Sequence, residues 1–340
     1  MAYTTINKSS EHFNSVAYTG GSGDTAHTVG FQPDLVWIKE RTRARNHAWF
    51  DSIRGSRRWI GSNSSGAEDY NAGAYLASFN SNGFTTTDTD VVGKNGLTYA
   101  SWNWKAGATQ TLGGGATATV KANTTSGFSI VSWTGTAGNI LVSHGLGAVP
   151  KMIIVKNRSI TQEWAVYHAS LGGTKYLELN QTGASGSASN RWNSSNPDAT
   201  HFIVSSDASV NGSGNSMIAY CFAEKQGFSK FGSYLGNGNA NGTFVYTGFK
   251  PAFVMLKNTT DASDWNMKDS KRPGFNQVND ILYPNLNNAE EHGGDIDILS
   301  NGFKIRTTAA NTNNSGSTYI YMSFAEAPLV GTNGVTAKAR

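Results

Sequence analysis

One ten-residue string occurs three times in this 340-residue chain, and it limits the possible folds more than any other feature. Gly30 to Lys39 reads G-F-Q-P-D-L-V-W-I-K, Gly147 to Lys156 reads G-A-V-P-K-M-I-I-V-K, and Gly248 to Lys257 reads G-F-K-P-A-F-V-M-L-K. Each copy has glycine three positions before proline, then an unbroken apolar run, then lysine six positions after the proline. A continuous apolar run suits a strand covered on both faces. Proline at its start removes no ladder hydrogen bond. The string predicts a turn entering a central strand, three times over.

Further anchors keep register with the prolines, and fixed-period self-similarity marks a repeat architecture. Tyr18-Thr19-Gly20, Trp133-Thr134-Gly135 and Tyr234-Leu235-Gly236 precede Pro33, Pro150 and Pro251 by 15, 17 and 17 positions. Phe84, Phe202 and Phe303 follow them by 51, 52 and 52, and two of these sit in the triplet Asn-Gly-Phe, a hairpin signal. Closing strands end at Trp104, Phe222 and Phe324, where period-2 alternation pairs Trp102 with Trp104, Tyr220 with Phe222 and Met322 with Phe324 on one face. Trp49, Trp164 and Trp265 fall 16, 14 and 14 positions after the prolines.

Each unit is about 90 to 100 residues, the size of one β-sandwich. With 39 glycines against 7 prolines, tight turns between short strands are expected rather than helices. The expected fold is all-β, with three tandem antiparallel β-sandwich repeats of jelly-roll or lectin-like form. Residues 14–107, 127–226 and 227–328 are the repeats, 108–126 a Gly/Thr linker, 1–13 an N-terminal arm and 329–340 a C-terminal tail. The linker leaves unit one free to swing while units two and three dock closely, and a neighbouring chain would order the two ends.

No apolar run approaches the roughly 20 residues that cross a bilayer, and the first residues lack a signal-peptide core, so no membrane insertion or export is expected. The single cysteine, Cys221, excludes an internal disulfide, leaving packing or assembly to stabilise the chain. A net charge of +4 gives no reason to expect nucleic acid.

The strings F-Q-P-D-L-V-W-I-K-E-R (31–41), W-F-D-S-I-R-G (49–55), F-N-S-N-G-F (79–84) and Y-A-S-W-N-W-K-A-G (99–107) resemble a repeat found in virion proteins of tailed phages, especially those of marine bacteria and cyanobacteria. Such proteins are described as tail fibre or structural proteins. The Asp-Ser-x-Arg-Gly segment is altered in the later units, His168-Ala169-Ser170-Leu171-Gly172 being the nearest match in unit two. The resemblance implies a virion component assembled in the host cytoplasm beside other virion proteins. It also implies a role in adsorption and a homo-oligomer, a trimer by analogy with phage appendages. It brings no catalytic residue.

Between Lys39 and Arg58 lie seven cationic residues against Glu40 and Asp51. Arg41, Arg43, Arg45, Arg54, Arg57 and Arg58, interleaved with Trp49 and Trp59, are the candidate contact set for an anionic glycan or an acidic protein surface. The bland alternative is a solvated loop with arginines packed on core tryptophans. Unit three carries Asp280, Glu290, Glu291, Asp295 and Asp297 with no intervening cation, a candidate acidic patch for head-to-tail contacts between subunits. Asp295 and Asp297 also raise a glycosidase reading, but units one and two lack the cluster. The seven histidines are scattered without zinc spacing. Asp88–Asp90 or Asp295–Asp297 could take Ca²⁺, although the glycine and distal glutamate of an EF-hand are missing. No cofactor, metal or catalytic residue is expected.

The preferred reading is therefore a non-enzymatic, tail-fibre-type virion protein that attaches to a host surface polysaccharide by multivalent contact. A capsid decoration or cement protein is the alternative, and a carbohydrate-active enzyme the third.

Overall fold

The structure, a computed structural model, describes residues 3–272 and 276–330. Among the described residues helix is confined to single turns such as Ser189–Trp192, Ala208–Asn211 and Ala310–Asn313, and the strand pairs of the ladders are antiparallel.

The recurring strings form recurring strands. In unit one the opening strand Phe13–Thr19 pairs with the closing strand Thr98–Trp104, which pairs with the proline strand Leu35–Glu40, which pairs with the return strand Ala48–Asp51. Unit two repeats this order with Phe128–Thr134, Ser216–Ala223, Pro150–Asn157 and Ala165–His168. Unit three repeats it again with Ser229–Leu235, Thr318–Pro328, Phe249–Asn258 and Asn266–Asp269. The prolines sit at equivalent places: just before the strand in unit one, and at a register shift in units two and three.

Alternation then divides each central strand between two cores. Val36 and Ile38 face a second sheet of their own unit, made of Thr25–Thr28, Gly83–Thr86 and Leu76–Asn80. Ile153 with Val155, and Val254 with Leu256, do the same in units two and three. The other faces, carrying Leu35 and Trp37, Met152 and Ile154, and Phe253 and Met255, all belong to one cluster. The apolar runs are continuous because the units cover each other.

The closing strands show the symmetry of that common core. Trp104, Phe222 and Phe324, the three aromatic ends, meet pairwise at ring separations of 6.1, 6.0 and 5.6 Å. Polar contacts run round the same ring. Asp51 of unit one accepts from the Tyr220 hydroxyl of unit two at 2.7 Å. His168 of unit two lies 3.2 Å from the Tyr321 carbonyl of unit three, and Asp269 of unit three accepts from the Trp102 indole of unit one at 3.1 Å. Asp51, His168 and Asp269 all lie 18 residues past a repeat proline. The three units close on one another in a cycle.

This closure brings cross-unit acceptors to the motif lysines of units two and three. Lys39, Lys156 and Lys257 are fully buried at the end of the shared-core face. Lys156 donates to the Ser65 carbonyl of unit one and to Gln162, while Lys257 donates to the Thr182 carbonyl of unit two, to Asn258 and to Ser263. Lys39 donates to the carbonyl of Glu40. Burial lowers all three lysines to about 8. The unfolded chain therefore holds more protons than the folded one between that pH and the ordinary lysine value, so stability rises with pH across the window. Above about pH 10 the effect reverses, because burial holds Tyr18, Tyr220 and Tyr234 well above the ordinary tyrosine value. Thermal unfolding followed by circular dichroism should give a higher midpoint at about pH 9.5 than at about pH 7.5.

Two glycine anchors mark close approaches. A Cβ on Gly20, Gly135 or Gly236 would stand 2.2 to 2.3 Å from a carbonyl oxygen of the loop preceding the closing strand. At Gly83 and Gly302 it would stand 1.9 and 2.1 Å from the carbonyls of His27 and Val245 on the adjoining strand. The Asn-Gly pair thus serves that neighbour as well as the hairpin turn.

Three expectations are corrected. Unit one is not free to swing, because Trp37, Trp49, Trp102 and Trp104 lie inside the common core. The stretch 108–126 is not a loose linker: Thr109–Leu112 and Ala118–Asn123 extend the sheet of unit two, and Lys121 bridges back to Asp34 at 2.7 Å. The N-terminal arm packs on its own chain, with Ile6 buried and the Tyr3 hydroxyl donating to Gly248 at 2.6 Å. The predicted tail lies outside the described residues from 331 onward.

Candidate functional site

The loop from Lys39 to Arg58 is wired internally. Arg41 forms a bidentate pair with Glu290 at 2.9 and 2.6 Å, joining unit one to unit three, and Arg272 completes the site at 2.9 Å. Burial alone would raise the Glu290 carboxyl, but these two guanidinium groups hold it below its ordinary value. The basic–acidic match expected between subunits is thus made at Arg41 and Glu290 within one chain. Arg43 and Arg45 share Asp90 at 2.9 and 3.0 Å.

Arg54 is wholly buried against Asp51 and reaches Glu68 at 3.2 Å and the Trp49 carbonyl at 2.9 Å. Glu68 also takes Arg58 and, from unit two, Arg158, each at 2.9 Å. Trp49 is core, and Trp59 is half-buried with its indole donating to the His47 carbonyl at 3.0 Å. Arg57 donates to Ala74. The side chains of Arg43, Arg45 and Arg58 are about 40% exposed, and the Arg58 guanidinium lies 5.1 Å from the centre of the exposed Tyr70 ring.

Of the acidic residues, Glu291 accepts from Tyr283 and Asn288, and Asp297 pairs with Arg306 at 3.3 Å. Asp280 pairs with His292 at 2.8 Å, while the Asp295 carbonyl accepts from the Arg306 amide. Among the described residues no group of three or more His, Cys, Asp or Glu side chains is placed to hold a metal. Cys221 is buried, and that burial pushes its thiol up, away from thiolate reactivity.

The sequence reading missed a second Asp-Ser-x-Arg. Asp269-Ser270-Lys271-Arg272 repeats the Asp51-to-Arg54 pairing in unit three, and the 18-residue offset from proline would have found it. Burial would raise Asp269, yet Arg272 and two backbone amides hold it down.

It also missed an open cleft of about 350 Å³ where the N-terminal arm crosses unit three. Tyr3, Glu224, Ser229, Lys230, Tyr246 and Thr247 line it. Tyr3 is pushed up to about 12, first by burial and then by the neighbouring Tyr246. Lys230 and Glu224 pair at 2.6 Å. Phe244 and Tyr246 are 44% and 51% exposed, whereas Val245 between them points into the core. The alternation F-V-Y was legible, but only with the inner face assigned.

The fold and its surfaces define an all-β protein of three similarly wired sheets round one core, its strongest charges spent on internal pairs. More particularly, the chain belongs to the family described as "Domain of unknown function (DUF7483)", which matches residues 8–328 and so takes in all three units together. No curated protein and no solved structure matches it.

Proposed function

We propose that the chain is a non-enzymatic virion structural protein of tail-fibre type, built of three tandem β-sandwich repeats of jelly-roll form, that attaches to a host surface polysaccharide. The common core is the observation that carries this reading. It holds three loop-bearing units at fixed mutual positions without a disulfide, and fixed spacing lets weak contacts multiply into firm attachment. The motif resemblance in all three units supports a particle component. A homo-oligomer such as the trimer of phage appendages would form through outer surfaces, since the inner faces are already used. Purified protein should adhere to cells of a bacterial host and lose that adhesion when the surface polysaccharide is stripped; adhesion to stripped and intact cells alike counts against the reading.

The cyclic arrangement favours one second reading, capsid decoration, because a chain with an internal three-fold can seat on a three-fold site of a shell. A whole-particle reconstruction that places the chain on the head rather than the tail would select it.

A further inference from the structure

We propose that the cleft between the N-terminal arm and unit three is a saccharide-binding subsite, with Tyr246 and Phe244 as its stacking platform. The proposal rests on the attachment reading and names where on the chain a sugar is held. The cleft volume of about 350 Å³ falls at the small end of ligand sites, which run from about 300 to 1,000 Å³. That suits one or two rings of a chain entering from solvent.

Its lining selects among ligand classes. Glu224 and Lys230 neutralise each other at 2.6 Å, so the cleft offers no surplus charge for a phosphate or a nucleotide. The hydroxyls of Tyr3 and Tyr246 and the Glu224–Lys230 pair interrupt the apolar surface, which disfavours a lipid chain. Half-exposed aromatic rings beside hydroxyls and a carboxylate match a pyranose, whose C–H face is apolar and whose edge is a ring of donors and acceptors. Tyr246 lines the cleft and is half-exposed, and Phe244, two residues earlier on the same edge strand, extends the exposed apolar surface. The corresponding outer strands Thr25–Thr28 and Ile140–Ser143 carry no outward aromatic ring, so among these three strands only that of unit three has this surface.

The full chain would be assayed against an array of cello-, laminari-, malto- and chito-oligosaccharides of two to six units. Adhesion to whole bacterial cells would be measured in parallel. At least one series should bind, and Tyr246→Ala should weaken it about tenfold, the loss of about 1.4 kcal/mol. Tyr70→Ala, which removes an exposed ring of unit one, should leave binding unchanged. Unaltered melting of Tyr246→Ala would confirm that it folds. Absence of binding to every series, or binding that survives Tyr246→Ala, overturns this subsite. If cells are still bound equally by the wild type and Tyr246→Ala, the cleft is wrong and attachment stands. If neither binds cells, attachment itself fails.

Discussion

Replacing Trp104 by alanine should cost about 3–5 kcal/mol and lower the unfolding of all three units together. Trp104 is 1% exposed and lies against Phe13 of its own unit, Phe128 and Phe222 of unit two, and Phe253 and Phe324 of unit three. Truncation removes the transfer free energy of the indole and leaves a void walled by rigid rings from three units, which collapse poorly. The affected walls belong to every unit, so the loss cannot be confined to one. Denaturant unfolding followed by near-UV circular dichroism and by proteolysis should therefore show one coincident transition that moves to lower denaturant. A variant in which unit one melts first while units two and three keep their wild-type midpoint would refute the shared core. Phe303→Ala offers the contrast: it lies between the two sheets of unit three, away from the common cluster, so its cost should start there.

Much of this core was legible as pattern and not as place. The run Leu35 to Ile38 says that both faces of a strand are covered, yet local sequence cannot say whether a helix, a sheet or another repeat does the covering. The aromatic ends Trp104, Phe222 and Phe324 were found by offset, but their meeting on one axis depends on how three units dock. Lysines 39, 156 and 257 belonged to the motif without a role, since the carbonyls of Ser65 and Thr182 that Lys156 and Lys257 serve are supplied across unit boundaries. The stretch 108–126 looked loose because Gly and Thr dominate it; the alternation Ala118, Val120 inward with Thr119 outward was the better guide. Charge counting misread Arg41 for a similar reason. Its partner Glu290 is 249 residues away in sequence and 2.6 Å away in space.

The second large effect is expected at Arg54, where the ion pair is sealed from water. Arg54→Ala should cost about 3–5 kcal/mol, because it leaves Asp51 as a buried carboxylate without its cation. Asp51 keeps donors in the Tyr220 hydroxyl and the amides of residues 53 and 54, but none of them carries charge. Arg58→Ala removes a partner of the same Glu68, yet its side chain is 42% exposed, so its loss should cost less than about 1 kcal/mol. Arg54→Lys should recover little, because a single ammonium cannot reproduce the fork that reaches Asp51, Glu68 and two carbonyls at once. Acid separates this account from simple loss of packing. Glu68, Asp269 and Glu290 are held below their ordinary values in the wild type, so its stability falls as pH drops through the carboxylate range. In Arg54→Ala the Glu68 carboxyl loses one of the cations that hold it down, so less stabilisation remains to be lost as pH falls. The gap between the two proteins should therefore narrow from pH 7 toward pH 4 in urea titrations. A gap that stays constant would show that Arg54 acts through its packing alone.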